Sequence, residues 1–314
     1  MNQRRVFVIG SLNVDLVQNV PRIPHAGETI DGSELRIFCG GKGANQACAA
    51  ARMGGAVRMA GCVGNDVFGS RLLSELKTRG IDVSQVETSA KVTGAATIFV
   101  LPSGENVIVL SSGANADVSV DFALKALHDG QPGELLLCQF EIPSETVFAA
   151  LVTARKRGML TVLDPAPARE IPLEYLNAVD ILTPNQSEVA AILGEDAEIV
   201  SMHDAESAAQ KLLESGARAV IVKMGALGCF VASGEFAAEI AGHAMNVVDT
   251  TAAGDTFNGA LAVALSEGAG LIEAARFANG AAALSVTKAG AISSVPDRAT
   301  LQKFLQDHSS IQEK

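Results

Sequence analysis

Tryptophan is absent and tyrosine occurs once, at Tyr175, in a chain of 314 residues. Intrinsic fluorescence is therefore a poor reporter of ligand binding. Cysteine is sparse: Cys39, Cys48, Cys62, Cys138 and Cys229 are odd in number and show no CxxC spacing. That pattern argues against a disulfide framework and against a thiolate zinc site. Basic residues are in deficit, 24 Lys and Arg against 35 Asp and Glu for a formal net charge of −11, and no basic cluster stands out. A nucleic-acid partner is disfavoured. No apolar run approaches the roughly 18 residues of a membrane span. The apolar run before Gly10 is four residues, too short for the core of a secretory signal, so the sequence reads as cytoplasmic. Internal repeats, low-complexity segments and composition shifts that would mark a domain boundary are also missing.

Hydrophobic residues make up 48% of the chain, enough for one large α/β domain or two smaller ones. Short apolar runs at 5–10, 57–63, 83–87, 134–138, 160–163, 179–182 and 219–224 read as strands. Helical patterns at 42–53, 67–79, 119–128, 144–156 and 204–215 alternate with them, as in a parallel α/β sheet. Further strands fall near 229–232 and 236–240, and helices at about 255–267, 271–287 and 297–308. The runs 94–101 and 106–110 interrupt the alternation and, joined by Pro102-Ser-Gly-Glu105, give a hairpin signal. Residues 21–32 are turn-rich, and 33–38 read as a strand broken by Cys39-Gly-Gly41. With 14–38, the hairpin could build a small second sheet. The glycines fit neither common nucleotide motif: Gly10 to Asp15 holds one glycine where a dinucleotide fold needs three, and Gly40 to Ala47 lacks the P-loop spacing.

The most informative stretch is Asp249-Thr-Thr-Ala-Ala-Gly-Asp255-Thr-Phe257. Phe257, Leu261 and Leu265 recur at i, i+4 and i+8, so a helix with one buried face begins near Asp255. Gly254 is expected to let the backbone turn into it. The N–H groups of Ala252, Ala253 and Gly254 would then converge at the positive end of the helix dipole, a pocket for phosphate oxygens. An acid there would repel an anion. Asp255 makes chemical sense as the proton acceptor for a hydroxyl that attacks the phosphate; its plain alternative is a helix N-cap.

Other candidates gather where strands end, as ligands do in open α/β sheets. Asn13 and Asp15 share one face of an extended stretch; the alternative is an edge strand with one wet face. Lys42 and Asn45 stand three apart near a helix start, where both could reach a ligand over Gly40 and Gly41. Glu141 follows the strand ending near Gln139, and Asp164-Pro-Ala-Pro-Ala168 and Thr183 to Glu188 follow the next two. Asn185 and Glu188 also have the spacing of a capping box.

Asp249 to Phe257 resembles the C-terminal signature of the PfkB family of carbohydrate kinases, and Gly40-Gly-Lys-Gly-Ala-Asn-Gln-Ala47 its N-terminal signature in the form of the ribokinase branch. The resemblance runs from about Val6 to Pro296. It implies a three-layer ribokinase-like α/β/α sandwich, a single domain over 1–314, with a small β-sheet lid from about 14–38 and 94–111. It implies transfer of the γ-phosphoryl group of ATP to the 5-hydroxyl of D-ribose. Asp255 would be the general base, and the backbone of Thr251, Ala252, Ala253 and Gly254 the anion hole. Asn13, Asp15, Gly41, Lys42, Asn45 and Glu141 would hold the sugar. Asn185, Glu188, Lys223, Gly225, Gly228, Gly254 and Asn279 would hold the nucleotide, with Asn185 and Glu188 organising Mg²⁺. The family often has His where this chain has Asn279. A K⁺ site would draw on Asp249, Thr251, Ser285, Lys288, Gly290 and Ser294, and the apolar lid edge would be covered by a second copy in a homodimer. Two alternatives remain at this point: a related kinase acting on another sugar or nucleoside (deoxyribose, fructose, adenosine), or a non-catalytic sugar-binding regulator. The retention of Asp255, Asn185 and Glu188 speaks against the regulator.

Overall fold

Alternate residues of the first strand divide between two hydrophobic cores. Phe7 and Ile9 lie in one and Val6 and Val8 in the other, all at most 2% exposed. A strand apolar on both faces must be sandwiched, and parallel sheets are covered by helices on each side. The computed structural model describes residues 4–194 and 198–309. Residues 1–3, 195–197 and 310–314 of the expected domain span lie outside the described residues.

The chain opens with β1 (Arg5–Ile9), β2 (Asn13–Asn19), β3 (Arg36–Gly40), α1 (Lys42–Arg52), β4 (Ala56–Gly64), α2 (Val67–Thr78) and β5 (Asp82–Ser89). It continues through β6 (Gly94–Val100), β7 (Asn106–Ser111), α3 (Val120–Ala126), β8 (Leu135–Cys138), α4 (Ser144–Lys156), β9 (Leu160–Leu163) and β10 (Ile181–Leu182). The last third carries α5 (Gln186–Leu193), α6 (Met202–Glu214), β11 (Ala219–Lys223), β12 (Gly228–Ser233), β13 (Ala237–Ala241), α7 (Ala253–Ser266), α8 (Leu271–Ser285) and α9 (Arg298–Ser309).

Nine strands form the main sheet in the order β13-β12-β11-β10-β9-β8-β1-β4-β5. It is parallel from β11 to β5, and β12 and β13 add an antiparallel edge. Residues of α3, α4, α5 and α6 fill one core, and those of α1, α2, α7, α8 and α9 fill the other. The result is the expected three-layer sandwich. Among the described residues no helix is long and apolar enough to cross a membrane.

The second sheet has the order β3-β2-β6-β7, with β2 parallel to β6 and the outer pairs antiparallel. It is the small sheet anticipated from 14–38 and 94–111. β2 is an inner strand of it, so Asn13 and Asp15 do not sit on an edge. The strand expected at 33–38 runs instead from Arg36 to Gly40, because Gly40 pairs with Asn13 across the ladder. α7 starts at Ala253, two residues earlier than the periodicity of its apolar face indicates.

Candidate active site

The main sheet changes direction at β1: β4 and β5 lie to one side of it and β8 to β11 to the other. The crevice beyond the C-terminal ends of β1 and β8 is a topological switch point, where open α/β sheets hold ligands. One carboxylate ties this crevice together. Glu141 Oε2, after β8, accepts from Ser11 Oγ at 2.6 Å, Asn13 Nδ2 at 3.2 Å and the Lys42 N–H at 3.0 Å. Asn115 donates to Asn13 Oδ1 at 2.7 Å and accepts from the Leu12 N–H at 2.9 Å, which fixes Asn13.

Helix α1 reaches the crevice through glycine. Gly41 precedes its first turn at φ +89°, and a Cβ there would stand 2.7 Å from the Asn13 nitrogen. Asp15 lies against Gly40, and its carboxyl is pushed up to about 7 by burial and by the nearby charges of Glu141 and Asp255. Asn13, Asp15, Gly41, Lys42, Asn45 and Glu141 are thereby brought to one place from one strand, a helix with the residue before it, and a loop.

Asp255 lies in the first turn of α7, 6% exposed. Its two oxygens accept from Asn45 Nδ2 and Gln46 Nε2, each at 2.9 Å. Gln46 Nε2 also donates to Asp164 Oδ2 at 2.8 Å, and Gln139 Nε2 donates to Gln46 Oε1 at 2.5 Å. Burial raises the Asp255 pKa; Lys42 and the two amides oppose this, and Asp164 reinforces it. A carboxylate whose pKa is raised is a stronger proton acceptor. The Lys42 ammonium stays protonated: burial would lower its pKa, but Asp255, Asp164, Glu141 and Glu188 outweigh that effect. Asn45 Oδ1 is buried without a partner.

The turn into α7 departs from expectation. Its left-handed residue is Ala252, at φ 58°, whereas Gly254 is already helical. A non-glycine residue in that region costs about 1 kcal/mol or more and persists where the surroundings enforce it. The Thr251 N–H donates to Asp249 Oδ1 at 2.9 Å and the Ala253 N–H to the Thr250 carbonyl at 3.2 Å. Among the described residues the N–H groups of Ala252, Gly254 and Asp255 have no such partner, which leaves these three as the free donors at the helix start. A Cβ at Gly254 would make only an ordinary van der Waals contact, 3.6 Å from Lys223 Nζ, so neither the turn nor crowding requires glycine there.

Two cavities meet at this helix start. One, about 450 Å³, is lined by Lys42, Asp164, Asn185, Glu188, Ala252 and Asp255 among others. The other, about 630 Å³ and largely apolar, is lined by Gly228, His243, Phe257, Asn279 and their neighbours. Lys223, Gly225, Thr250, Ala253 and Gly254 line both. Lys223 Nζ is paired to Asp164 Oδ1 at 2.8 Å. Asn279 donates to the Ala241 carbonyl at 2.9 Å. The capping box of α5 is formed: the Glu188 N–H donates to Asn185 Oδ1 at 2.9 Å, and the Asn185 N–H to Glu188 Oε2 at 2.7 Å. Glu188 is 4% exposed; burial raises its pKa, Lys223 lowers it and Asp164 raises it further.

Asp249 joins two loops, accepting from the N–H groups of Thr251 at 2.9 Å and Gly290 at 2.8 Å. Ser285 Oγ and Ser294 Oγ turn to carbonyls of their own segments, Ala282 and Ala291. The Lys288 N–H takes the Ser285 carbonyl at 3.3 Å.

The fold that carries this crevice has known counterparts. The model of the pfkB family carbohydrate kinases matches residues 3–298. The chain belongs to the pfkB family. Within it, the ribokinase of Haemophilus influenzae is 40% identical over 97% of this chain and 99% of its own. The crystal structure of a Thermotoga maritima ribokinase superposes with a TM-score of 0.86 at 37% identity, covering 96% and 99% of the two chains. An Arabidopsis thaliana ribokinase complexed with ribose and ATP gives 0.85 at 32% identity, with 96% and 98% covered.

Several residues that build this crevice in the pfkB chain have no role that the sequence alone assigns. Gln46 links Asp255 to Asp164, Gln139 orients Gln46, and Ser11 and Asn115 support Glu141 and Asn13. The signal available for Gln46 and Gln139 was their polarity inside apolar segments, both being wholly buried. Nothing local marks Asn115, which contacts Asn13 across a sequence separation of 102.

Proposed function

We propose that the protein is an ATP-dependent sugar kinase that transfers the γ-phosphoryl group of ATP to the 5-hydroxyl of D-ribose, giving D-ribose 5-phosphate and ADP. The observation that carries this reading is the position of Asp255. It is buried at a helix start, with hydroxyl-binding groups on one side and two contiguous cavities on the other.

In this reading Asn13, Asp15, Gly41, Lys42, Asn45 and Glu141 hold the sugar, so that its 5-hydroxyl meets Asp255. Asp255 takes the hydroxyl proton as the oxygen forms its bond to the γ-phosphorus. The bond to the bridging oxygen breaks and ADP leaves. Phosphoryl transfer needs alignment and charge neutralisation more than covalent work by the protein. The N–H groups of Ala252, Gly254 and Asp255 at the start of α7 supply donors for the charge that develops, the Ala253 N–H being held by the Thr250 carbonyl, with Lys42 and Lys223 adjacent. Lys223, Gly225, Gly228 and Asn279 line the way to the adenine.

Asn185 and Glu188 fit a role with Mg²⁺ because their acid and amide face the cavity that also holds Lys223 and Asp255. A hard cation of this kind uses one or two carboxylates and phosphate oxygens and keeps its waters. Bound there, it would neutralise phosphate charge. The proposed K⁺ site rests on Asp249, whose carboxylate links the 251 and 290 loops, with Thr251, Lys288, Gly290 and Ser294 in those loops and Ser285 at the end of α8. Replacing tetramethylammonium with K⁺ at equal ionic strength is expected to raise kcat/KM, and Asp249→Ala to abolish that rise. Equal rates in the two salts would remove K⁺ from the mechanism.

The proposed homodimer joins lid to lid. β7 is an outer strand of the small sheet, and its Ile108 and Val109 are 58% and 61% exposed. An unpaired apolar edge of this kind calls for cover. Light scattering at micromolar concentration should give twice the chain mass; a monomer would count against the lid contact. The five cysteines are unpaired thiols, which suits a reducing compartment, and we assign the enzyme to the cytoplasm.

The acceptor is tested by coupled ATP consumption with ribose, deoxyribose, fructose, tagatose, fructose 6-phosphate and adenosine. Ribose should give the highest kcat/KM. A clear preference for a nucleoside or a phosphorylated sugar would refute it.

A further inference from the structure

Three rings from two distant parts of the chain meet beside the apolar cleft. His243 follows β13 and lines that cleft, half-buried. Its ring meets Phe304 edge-on, at 4.9 Å between centroids and 64°, and His308 at 5.5 Å and 88°. Phe304 and His308 lie one turn apart on α9, with centroids 4.1 Å apart. The helix that carries them is anchored by Leu301, fully buried, and by Leu305, whose side chain lies over Gly280 of α8. The cleft is otherwise mostly small and aliphatic, lined by residues such as Ala226, Ala244, Met245 and Ala282.

Its other polar side chains are partly committed, Lys223 to Asp164 and the Asn279 amide to the Ala241 carbonyl. Among the described residues the ring nitrogens of His243 have no hydrogen-bond partner. Burial and then His308 hold its pKa below the ordinary value, so the ring is neutral at physiological pH and offers one donor and one acceptor. A flat neutral ring on the wall of an apolar slot suits the face or edge of a purine.

We propose that His243 contacts the nucleotide base and that Phe304 and His308 of the C-terminal helix are positioning residues that hold its ring. This rests on the assignment of ATP to this cleft. His243 stands beyond the residues given a nucleotide role above, and α9 thereby becomes part of the nucleotide site without touching the reacting phosphate. Loss of one base–ring contact is worth about tenfold or more in affinity.

The test is steady-state kinetics with ATP and ribose, together with calorimetric binding of ADP, on the full chain. His243→Ala should raise the KM for ATP and the Kd for ADP about tenfold, leaving kcat and the KM for ribose within about twofold. His243→Phe should recover part of the loss. Phe304→Leu keeps an apolar side chain in the brace and removes its ring. It should weaken ADP binding less, in the same direction, and add nothing in the His243→Ala background. An unchanged KM for ATP and Kd for ADP in His243→Ala would overturn the inference while leaving the kinase reading intact. A wild-type enzyme that neither consumes ATP nor binds ADP would overturn both. A fall in kcat with unchanged ADP binding would show a structural role only and also overturn it.

Discussion

Asp255→Asn is expected to lower kcat by on the order of 10²-fold or more while ribose still binds. The variant keeps the shape of the side chain and removes its proton affinity. Both carboxylate oxygens accept amide N–H groups, from Asn45 and Gln46, so the new amide nitrogen must face one of these donors. Asn45 can resolve the clash by a flip, because its Oδ1 is buried without a partner and would then accept. Gln46 cannot do so as readily, being bonded at both ends to Asp164 and Gln139. The substitution should therefore be accommodated on the Asn45 side. The Asp255 pKa is raised in the folded state chiefly by burial, so its ionisation opposes folding above the unfolded carboxylate pKa. Removing that charge should leave Tm unchanged or raise it. Near-normal turnover in a soundly folded variant would refute the general-base assignment. A lower Tm with lost turnover would mean that the charge mainly holds Lys42 and the amides in place.

The boundaries of most elements were legible because apolar periodicity and glycine stops act locally. The 94–111 hairpin and its departure from the α/β alternation could be read from Pro102 to Glu105 for the same reason. The start of α7 was misjudged by two residues. The glycine there suggested a tight turn, but the turn is made by Ala252 in a conformation that no propensity favours, held by contacts of the Asp249 and Thr250 segment. The site was legible where a residue carries a charge after a strand, as with Glu141 and Asp164. It was not legible where a neutral amide works by bridging two distant acids. Gln46 looks like any polar residue on a small-residue helix until α7 and the loop after β9 close on it. The capping box at Asn185 and Glu188 has the same ambiguity in reverse: the local reading is realised, and the cavity it faces arises only from the sheet order.

Glu141→Gln is expected to raise the KM for ribose about tenfold or more and to change the pH at which that KM rises. In the wild type, Asp15 has its pKa pushed up to about 7, by burial first and then by the charges of Glu141 and Asp255. Sugar hydroxyls donate to an ionised carboxylate and gain less from a protonated one. With Asp15 as a sugar ligand, ribose is expected to bind the form with Asp15 ionised and to displace a proton as pH falls below about 7. The KM for ribose should climb by about tenfold per unit in that range, and be flat above it. In Glu141→Gln the carbonyl oxygen can still accept from Ser11, Asn13 and the Lys42 N–H, so the crevice keeps its shape. The charge beside Asp15 is gone, however, and the acid limb should move to lower pH. It should move only part of the way, because burial and Asp255 remain. The loss in affinity reflects a hydrogen bond to a charged group, about 1.5–3 kcal/mol, while the KM for ATP should stay within about twofold. The measurement is the KM for ribose across about pH 5.5 to 8 in both proteins, at saturating ATP. A KM independent of pH in the wild type would remove Asp15 from sugar binding. An acid limb at the same pH in both would show that Glu141 does not set the ionisation of its neighbour.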